Sequence, residues 1–456
     1  MSRFTAIKTQ LTIIIIHTIL LNPSMQQPSL KKSGINPLFT FRSLFRPEYP
    51  NRFAHFTSLV LLLTLVSCLP ADQHPPYPHA DEPIGSAHQL YDGNLSHDLA
   101  VNTFRNTDRI FASRIIPGSA NPIPLPSSNR ALPEVQFTFQ DTSFTLNDYI
   151  ELNHVAAMLI LKNGEIIHER YRFGNTDQTR WMSMSIAKSI VSTLIGAAII
   201  DGYIDSIEDL VTHYVPSLEG TAYDGVTIRN VLMMTSGVSW SENYTNPTSD
   251  RRRLLDAQIS QQPGAVLDVM KKLNREYPPG AFYRYNTGET QIAAEVLTRA
   301  TGSTLSEYLS DRIWEPMGAE SDAFWWLDSP NGVEIGGSGF SATLRDYGRF
   351  GQFVLNNGVT NGKSILPNTW IQEAGSPKSL PDGSEVNYGY LWWTAETTAG
   401  KRDGAFSADG IFGQTIYVNP AENVVIVVLS AWPHPTQSGT FDWDWSVFEA
   451  IVDSLR

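Results

Sequence analysis

The chain of 456 residues has one cysteine, Cys68. A lone Cys forms no intrachain disulfide and no Cys-based zinc site. His-Glu-x-x-His is absent, and the one His168-Glu169 pair sits in a β-rich run, which argues against a zinc peptidase. Gly-x-Ser-x-Gly is also absent, which argues against an α/β-hydrolase. No apolar run reaches the length of a membrane span. Leu11–Leu21 and Leu59–Val66 are both too short. Positive charge is scarce: the formal net charge is −13. Residues 1–67 carry seven of the basic side chains and one acidic one. The remainder has 26 basic against 45 acidic, a formal −19. Such a surface repels nucleic acid and anionic membranes, and neither is expected as a ligand. No repeat is visible.

Composition is otherwise that of a globular protein, at 42% hydrophobic and 17% charged. The second apolar run ends in Leu65-Val66-Ser67-Cys68. A small residue directly before Cys, after such a core, resembles a bacterial lipobox, in which the Cys is lipidated and becomes the mature N-terminus. Leu69 in place of Asp resembles proteins sorted to the outer membrane. The expectation is a periplasm-facing protein on a Gram-negative outer membrane, touching the bilayer only through a lipid anchor at Cys68.

The chain divides into four stretches. Residues 1–67 are a targeting region. Residues 68–135, rich in Pro, His, Asn and Ser, read as a tether and irregular covering segment. Residues 136–204 and 331–456 read as one discontinuous α/β domain. Residues 205–330 read as a mainly helical domain. "HVAAMLILKNGEIIHERYR" is two β-rich runs joined at Asn163-Gly164, a strong hairpin signal. "QTIYVNPAENVVIVVLSAW" is a second hairpin turning at Asn419-Pro420, and "FDWDWSVFEAIVDSLR" is a closing amphipathic helix. The fold class is α/β of the α+β type: an antiparallel sheet built from both ends of the chain, flanked by helices, with helices inserted between.

One helix carries an anomaly. "SIAKSIVSTLIGAAII" is apolar except for Lys188, three residues after Ser185. At that spacing the two share a face. A buried Lys loses its proton readily and can act as a neutral base. Lys188 would then activate Ser185 for acyl transfer. Ser-x-x-Lys alone is weak, since "SLKK" at 29–32 matches too. Two further elements add weight. Tyr285 lies in a Pro-Gly-rich loop just before a helix, where a phenol can relay protons. Gly410 and Gly413 flank Ile411 and Phe412 at the entry to the last hairpin, where glycines permit close backbone approach and an N–H can face a developing oxyanion.

With "SIAK", the Tyr285 loop, "AYDGVTIRNVLMMTSGVSW", "GGSGFSATLRDYGRFGQF" and "YGYLWW", the chain resembles the serine β-lactamase and penicillin-binding-protein superfamily. Within it the resemblance is to the branch of esterases and nylon-oligomer (6-aminohexanoate-dimer) hydrolases. The resemblance implies Ser185 as acylated nucleophile, Lys188 as base and Tyr285 as proton relay. Ile411 N–H and Ser185 N–H would form the oxyanion hole, with Gly410 and Gly413 shaping it. Asn286 and Thr287, after Tyr285, are substrate-binding candidates, and Tyr283 is a weaker alternative to Tyr285. No metal or organic cofactor is implied; the partner is a small ester or amide. Lys-Ser/Thr-Gly is missing beyond the targeting region, which moves the expectation from β-lactamase toward esterase or amidase. Arg345 and Arg402 are the cations that could replace it. A β-lactamase, a D-alanyl-D-alanine peptidase or a non-catalytic surface binding lipoprotein are the alternatives.

Overall fold

The computed structural model describes residues 77–436 and 440–456. Cys68 and the targeting region lie outside the described residues. In chain order come helices α1 (Ala87–Tyr91) and α2 (His97–Phe104), strand β1 (Ser113–Ile116), and the strands β2 (Gln136–Phe139) and β3 (Thr142–Thr145). Strands β4 (Val155–Lys162), β5 (Glu165–Tyr171) and β6 (Arg180–Met182) lead into helix α3 (Ile186–Ile200). Loops and short helices separate it from α4 (Thr287–Thr301). Then follow β7 (Ala323–Trp326), β8 (Phe340–Thr343) and α5 (Leu344–Leu355). The chain closes with β9 (Trp393–Thr394), β10 (Phe406–Gly410), β11 (Gln414–Asn419), β12 (Val424–Ser430) and α6 (Thr440–Ser454).

The main sheet has the order β9-β10-β11-β12-β4-β5. All its neighbours are antiparallel. At Asn163-Gly164 both residues take positive φ, 54° and 81°, so the two-residue turn matches the strand twist. Strand β12 lies on β4, with Val425 opposite Leu161, and this pairing joins the two ends of the chain. Both strands read as unbroken apolar runs because both faces are covered. Ala157, Leu159, Leu161, Val425, Val427 and Leu429 face the core shared with α3 and α5. Met158, Ile160, Val424, Ile426 and Val428 face a second core closed by Val447, Phe448 and Ile451 of α6. Gly351 lets α5 lie close on the sheet: a Cβ there would stand 2.6 Å from Val425 Cγ1.

Two parts of the sequence reading need correction. The segment read as irregular covering is more ordered than its composition suggests. Helices α1 and α2 bury Leu90, Tyr91, Val101 and Phe104 in the main core. Strand β1 is the edge of a second sheet, β1-β7-β8-β6. These elements are four to eight residues long, too short for periodicity to register. The helices start at Ser86 and Ser96, whose side chains accept from Gln89 and Leu99 N–H. Strand β7 belongs to this sheet and not to the helical stretch before it. Helix α4, the longest element of that stretch, packs on α3.

Candidate active site

The turn into α3 presents the candidate nucleophile. Met184 takes φ 45°, a left-handed conformation that a side chain disfavours. Ser183 N–H donates to Phe340 O of β8 at 2.8 Å and ties the turn down. Ser185 stands at the helix N-cap, but its hydroxyl caps no backbone N–H. It is therefore free for chemistry. Lys188, 1% exposed, places Nζ 2.8 Å from Ser185 Oγ and 2.8 Å from Gly337 O. Both partners are uncharged. Burial lowers the Lys188 pKa to about 7; Glu242 opposes this and Arg251 adds to it. The change from 10.5 corresponds to about 5 kcal/mol in favour of the neutral amine. Near neutral pH roughly half the molecules hold Lys188 as a free base beside the serine.

Tyr285 stacks on Trp393, with ring centroids 5.3 Å apart and planes 17° apart. Lys188 Nζ is 5.3 Å from its ring centroid. Burial, then Glu242, push the phenol well above its ordinary pKa, while a hydrogen bond with Ser185 pulls the other way. The phenol thus keeps its proton at neutral pH and is placed to donate it.

The oxyanion strand comes close because Gly410 has no side chain. A Cβ there would lie 2.6 Å from Ser183 O. Residues Ile411–Gly413 make the tight turn between β10 and β11, where Gly413 takes φ 82°. Ile411 O accepts from Thr436 N–H at 2.7 Å, which holds this turn. Among the described residues, neither Ser185 N–H nor Ile411 N–H has a hydrogen-bond acceptor. Two unsatisfied donors at adjoining backbone turns suit a developing oxyanion.

A cavity of about 810 Å³ opens beside Tyr285 and Ile411, walled by Tyr244, Trp393 and Trp445. Asp409, Glu396 and Asp442 also line it. Of the "YGYLWW" stretch only Trp393 reaches the cavity. Phe412 is buried against Phe104, with ring centroids 5.1 Å apart. Tyr283 lies outside the lining, against Tyr388. Arg345 pairs with Glu169 at 2.7 and 2.9 Å, and Arg402 with Asp403 at 2.8 Å. Neither arginine lines the cavity.

Asn286 and Thr287 have structural partners. Asn286 Oδ1 accepts Gly288 N–H at 2.8 Å and caps α4. Thr287 donates to Glu242 from N–H at 2.9 Å and from Oγ1 at 2.5 Å. They hold the Tyr285 loop. Sequence reasoning missed Glu242, Tyr244, Asp409 and the Gly337 carbonyl. The double glycine Gly336-Gly337 was a usable signal: a Cβ at Gly337 would stand 2.7 Å from Thr287 Cγ2 and 3.5 Å from Lys188 Nζ. Among the described residues no group of His, Cys, Asp and Glu is placed to hold a metal ion.

A Ser-Lys-Tyr cluster between the main sheet and a helix N-terminus is the arrangement of a class of serine hydrolase. Residues 153–449 match the protein family described as Beta-lactamase, and the chain belongs to it. The 6-aminohexanoate-dimer hydrolase of Paenarthrobacter ureafaciens is 31% identical over 304 residues, 64% of this chain and 76% of that protein. A Bacillus anthracis structure titled "Putative 6-aminohexanoate-dimer hydrolase" superposes with a TM-score of 0.69 at 25% identity, covering 80% of this chain and 96% of its own. A penicillin-binding-protein homologue from Caulobacter crescentus, at 18% identity, shares the fold with a TM-score of 0.54 over 68% of this chain and 96% of its own.

Proposed function

We propose that the protein hydrolyses small esters or linear amides through an acyl-enzyme on Ser185. Neutral Lys188 takes the Ser185 proton as Oγ attacks the carbonyl carbon. Ser185 N–H and Ile411 N–H hold the oxyanion. Collapse expels the alcohol or amine, which takes its proton from Tyr285. Water then attacks the acyl carbon and gives a proton to the Tyr285 phenolate, while Lys188 returns its proton to Ser185 Oγ as the acid leaves. The observation that carries this reading is the 2.8 Å approach of a buried, uncompensated amine to a serine hydroxyl. The name of the Paenarthrobacter relative supports linear amides beside esters.

Among the described residues, no Lys or Arg lines the cavity to pair with the carboxylate of a penicillin or cephalosporin. Losing such a charge-assisted contact costs roughly 1.5–3 kcal/mol of binding. Short aryl esters are therefore expected to surpass β-lactams. The test has two parts. A serine-directed phosphonate should add its mass to Ser185 and not to Ser185→Ala. The kcat/KM for p-nitrophenyl butyrate should exceed that for nitrocefin, with Ser185→Ala as the blank. Label on another residue, with activity kept in Ser185→Ala, overturns the mechanism. A tenfold preference for nitrocefin overturns the substrate class.

A further inference from the structure

Among the described residues Lys188 Nζ has two hydrogen-bond partners, Ser185 Oγ and Gly337 O, each at 2.8 Å. A neutral amine carries two N–H groups and one lone pair. To take the Ser185 proton the lone pair must face Oγ, and the bond donated to Gly337 O fixes that rotation. As the amine gains the proton the same bond becomes charge-assisted and strengthens. The Gly337 carbonyl therefore favours the transition state over the resting site. What holds this carbonyl in place is not itself a reacting group.

Gly337 belongs to a buried loop between β7 and β8 that lies against α4. On the sheet side, Ile335 N–H donates to Trp326 O at 2.8 Å, and Trp325 Nε1 donates to Ile335 O at 2.9 Å. On the helix side the anchor is Gln291 of α4, 2% exposed. Its Oε1 accepts Gly336 N–H at 3.1 Å, and its Nε2 donates to Glu334 O at 3.2 Å. The loop lies this close because a Cβ at Gly336 would meet Thr290 O, and one at Gly337 would meet Thr287 Cγ2. The same helix follows directly on Tyr285. We propose that Gln291 is a positioning residue for the reaction: its side-chain amide holds Gly337 O against Lys188 and so aims the amine lone pair at Ser185. This deepens the acyl-enzyme reading and rests on it. One helix then sets both proton-handling groups, Tyr285 through the chain and Lys188 through Gln291.

The experiment compares the parent with Gln291→Met, which fills similar space without a donor, and with Gln291→Glu. The kcat and KM for p-nitrophenyl butyrate are read from pH 5 to 9, together with the rate of phosphonate labelling of Ser185. Gln291→Met should lower kcat and the labelling rate roughly ten- to a hundredfold, with KM within about threefold. Its kcat/KM midpoint should move below the parent's, because an acceptor for the ammonium has gone. Glu242 and Arg251, the charges that act on Lys188, are the same in both proteins. While protonated, the carboxyl of Gln291→Glu still offers one acceptor and one donor. At pH 6 that variant should stay within about threefold of the parent, and it should fall away as the carboxyl ionises toward pH 9. A Gln291→Met protein with the parental kcat and midpoint overturns the proposal. So does a Gln291→Glu protein as impaired as Gln291→Met at pH 6. If Gln291→Met does not fold, the comparison of pH 6 with pH 9 in Gln291→Glu decides. A parent that takes no phosphonate on Ser185 sinks the acyl-enzyme reading and this inference together; a labelled parent with an unimpaired Gln291→Met overturns this inference alone.

Discussion

At the scale of single residues, the proposed reaction depends on one amine being neutral. Lys188 reaches that state because it is buried and because its two polar partners carry no charge. A base whose pKa is lowered to about 7 is inactive when protonated, below that pH, and active above it. The acylation rate, read as kcat/KM for an aryl ester, should rise with pH through about 7 and then level off. Lys188→Arg should lose at least 10³-fold at every pH, because guanidinium stays charged. A profile flat from pH 5 to 9, or an active Lys188→Arg protein, removes Lys188 from the proton path. Tyr285 has the opposite assignment in the proposed mechanism: burial holds its proton on, which suits a donor.

At the scale of elements, the site exists because β10 and the N-terminus of α3 almost touch. The contact point is Gly410 against Ser183 O. Gly410→Ala puts a Cβ 2.6 Å from that carbonyl oxygen, so strand and turn must separate by several tenths of an ångström. Ile411 N–H then leaves the oxyanion position. We expect kcat to fall on the order of 10²–10³-fold, the usual consequence of losing one such donor. KM and the melting temperature should change little, because β10 keeps its ladder to β11. Unchanged kcat would mean that the oxyanion is held elsewhere. The hairpin β4–β5 and the cover of both sheet faces were legible beforehand, since they rest on local turn chemistry and on strand composition. Helices α1 and α2 were not, since a five- or eight-residue helix in a Pro-rich stretch gives little periodic signal.

At the scale of the whole molecule, several carboxyls are buried without a cation. Burial raises Asp444 to about 8 and Glu289 to about 8, each from an ordinary value near 4. The folded protein therefore holds more protons than the unfolded chain between about pH 4 and 8. Their contribution to stability is complete below about pH 4 and is lost as pH rises through 8. Asp444→Asn should remove one of these groups while keeping an acceptor for Tyr149 and Asn153. Its melting temperature should match the parent at pH 5 and exceed it by several degrees at pH 9. A deficit at pH 9 would show that the carboxylate is favourable there. The lipid anchor is a proposal at this same scale, from the run ending Leu65-Val66-Ser67-Cys68. Cells fed labelled palmitate should label the wild-type protein and not Cys68→Ala, and a mature N-terminus other than Cys68 would defeat it.

Sequence by itself determined the parts whose physics is local. Ser185 and Lys188 share a helical face by spacing alone, and an apolar helix containing one Lys announces a buried amine. Asn163-Gly164 fixes a hairpin through its positive φ angles. The family followed from several such stretches in order. What only the tertiary structure decided comes from residues far apart in the chain. Asn286 and Thr287 looked available for substrate, but capping and the Glu242 carboxylate occupy them. Phe412, next to Ile411 in the chain, faces the core against Phe104. Asp409 looked like one acidic residue among many, and the fold places it at a cavity wall without a counter-ion. Desolvation and pairing are sums over neighbours that the fold brings together from both near and distant parts of the chain, and no window of sequence contains that sum.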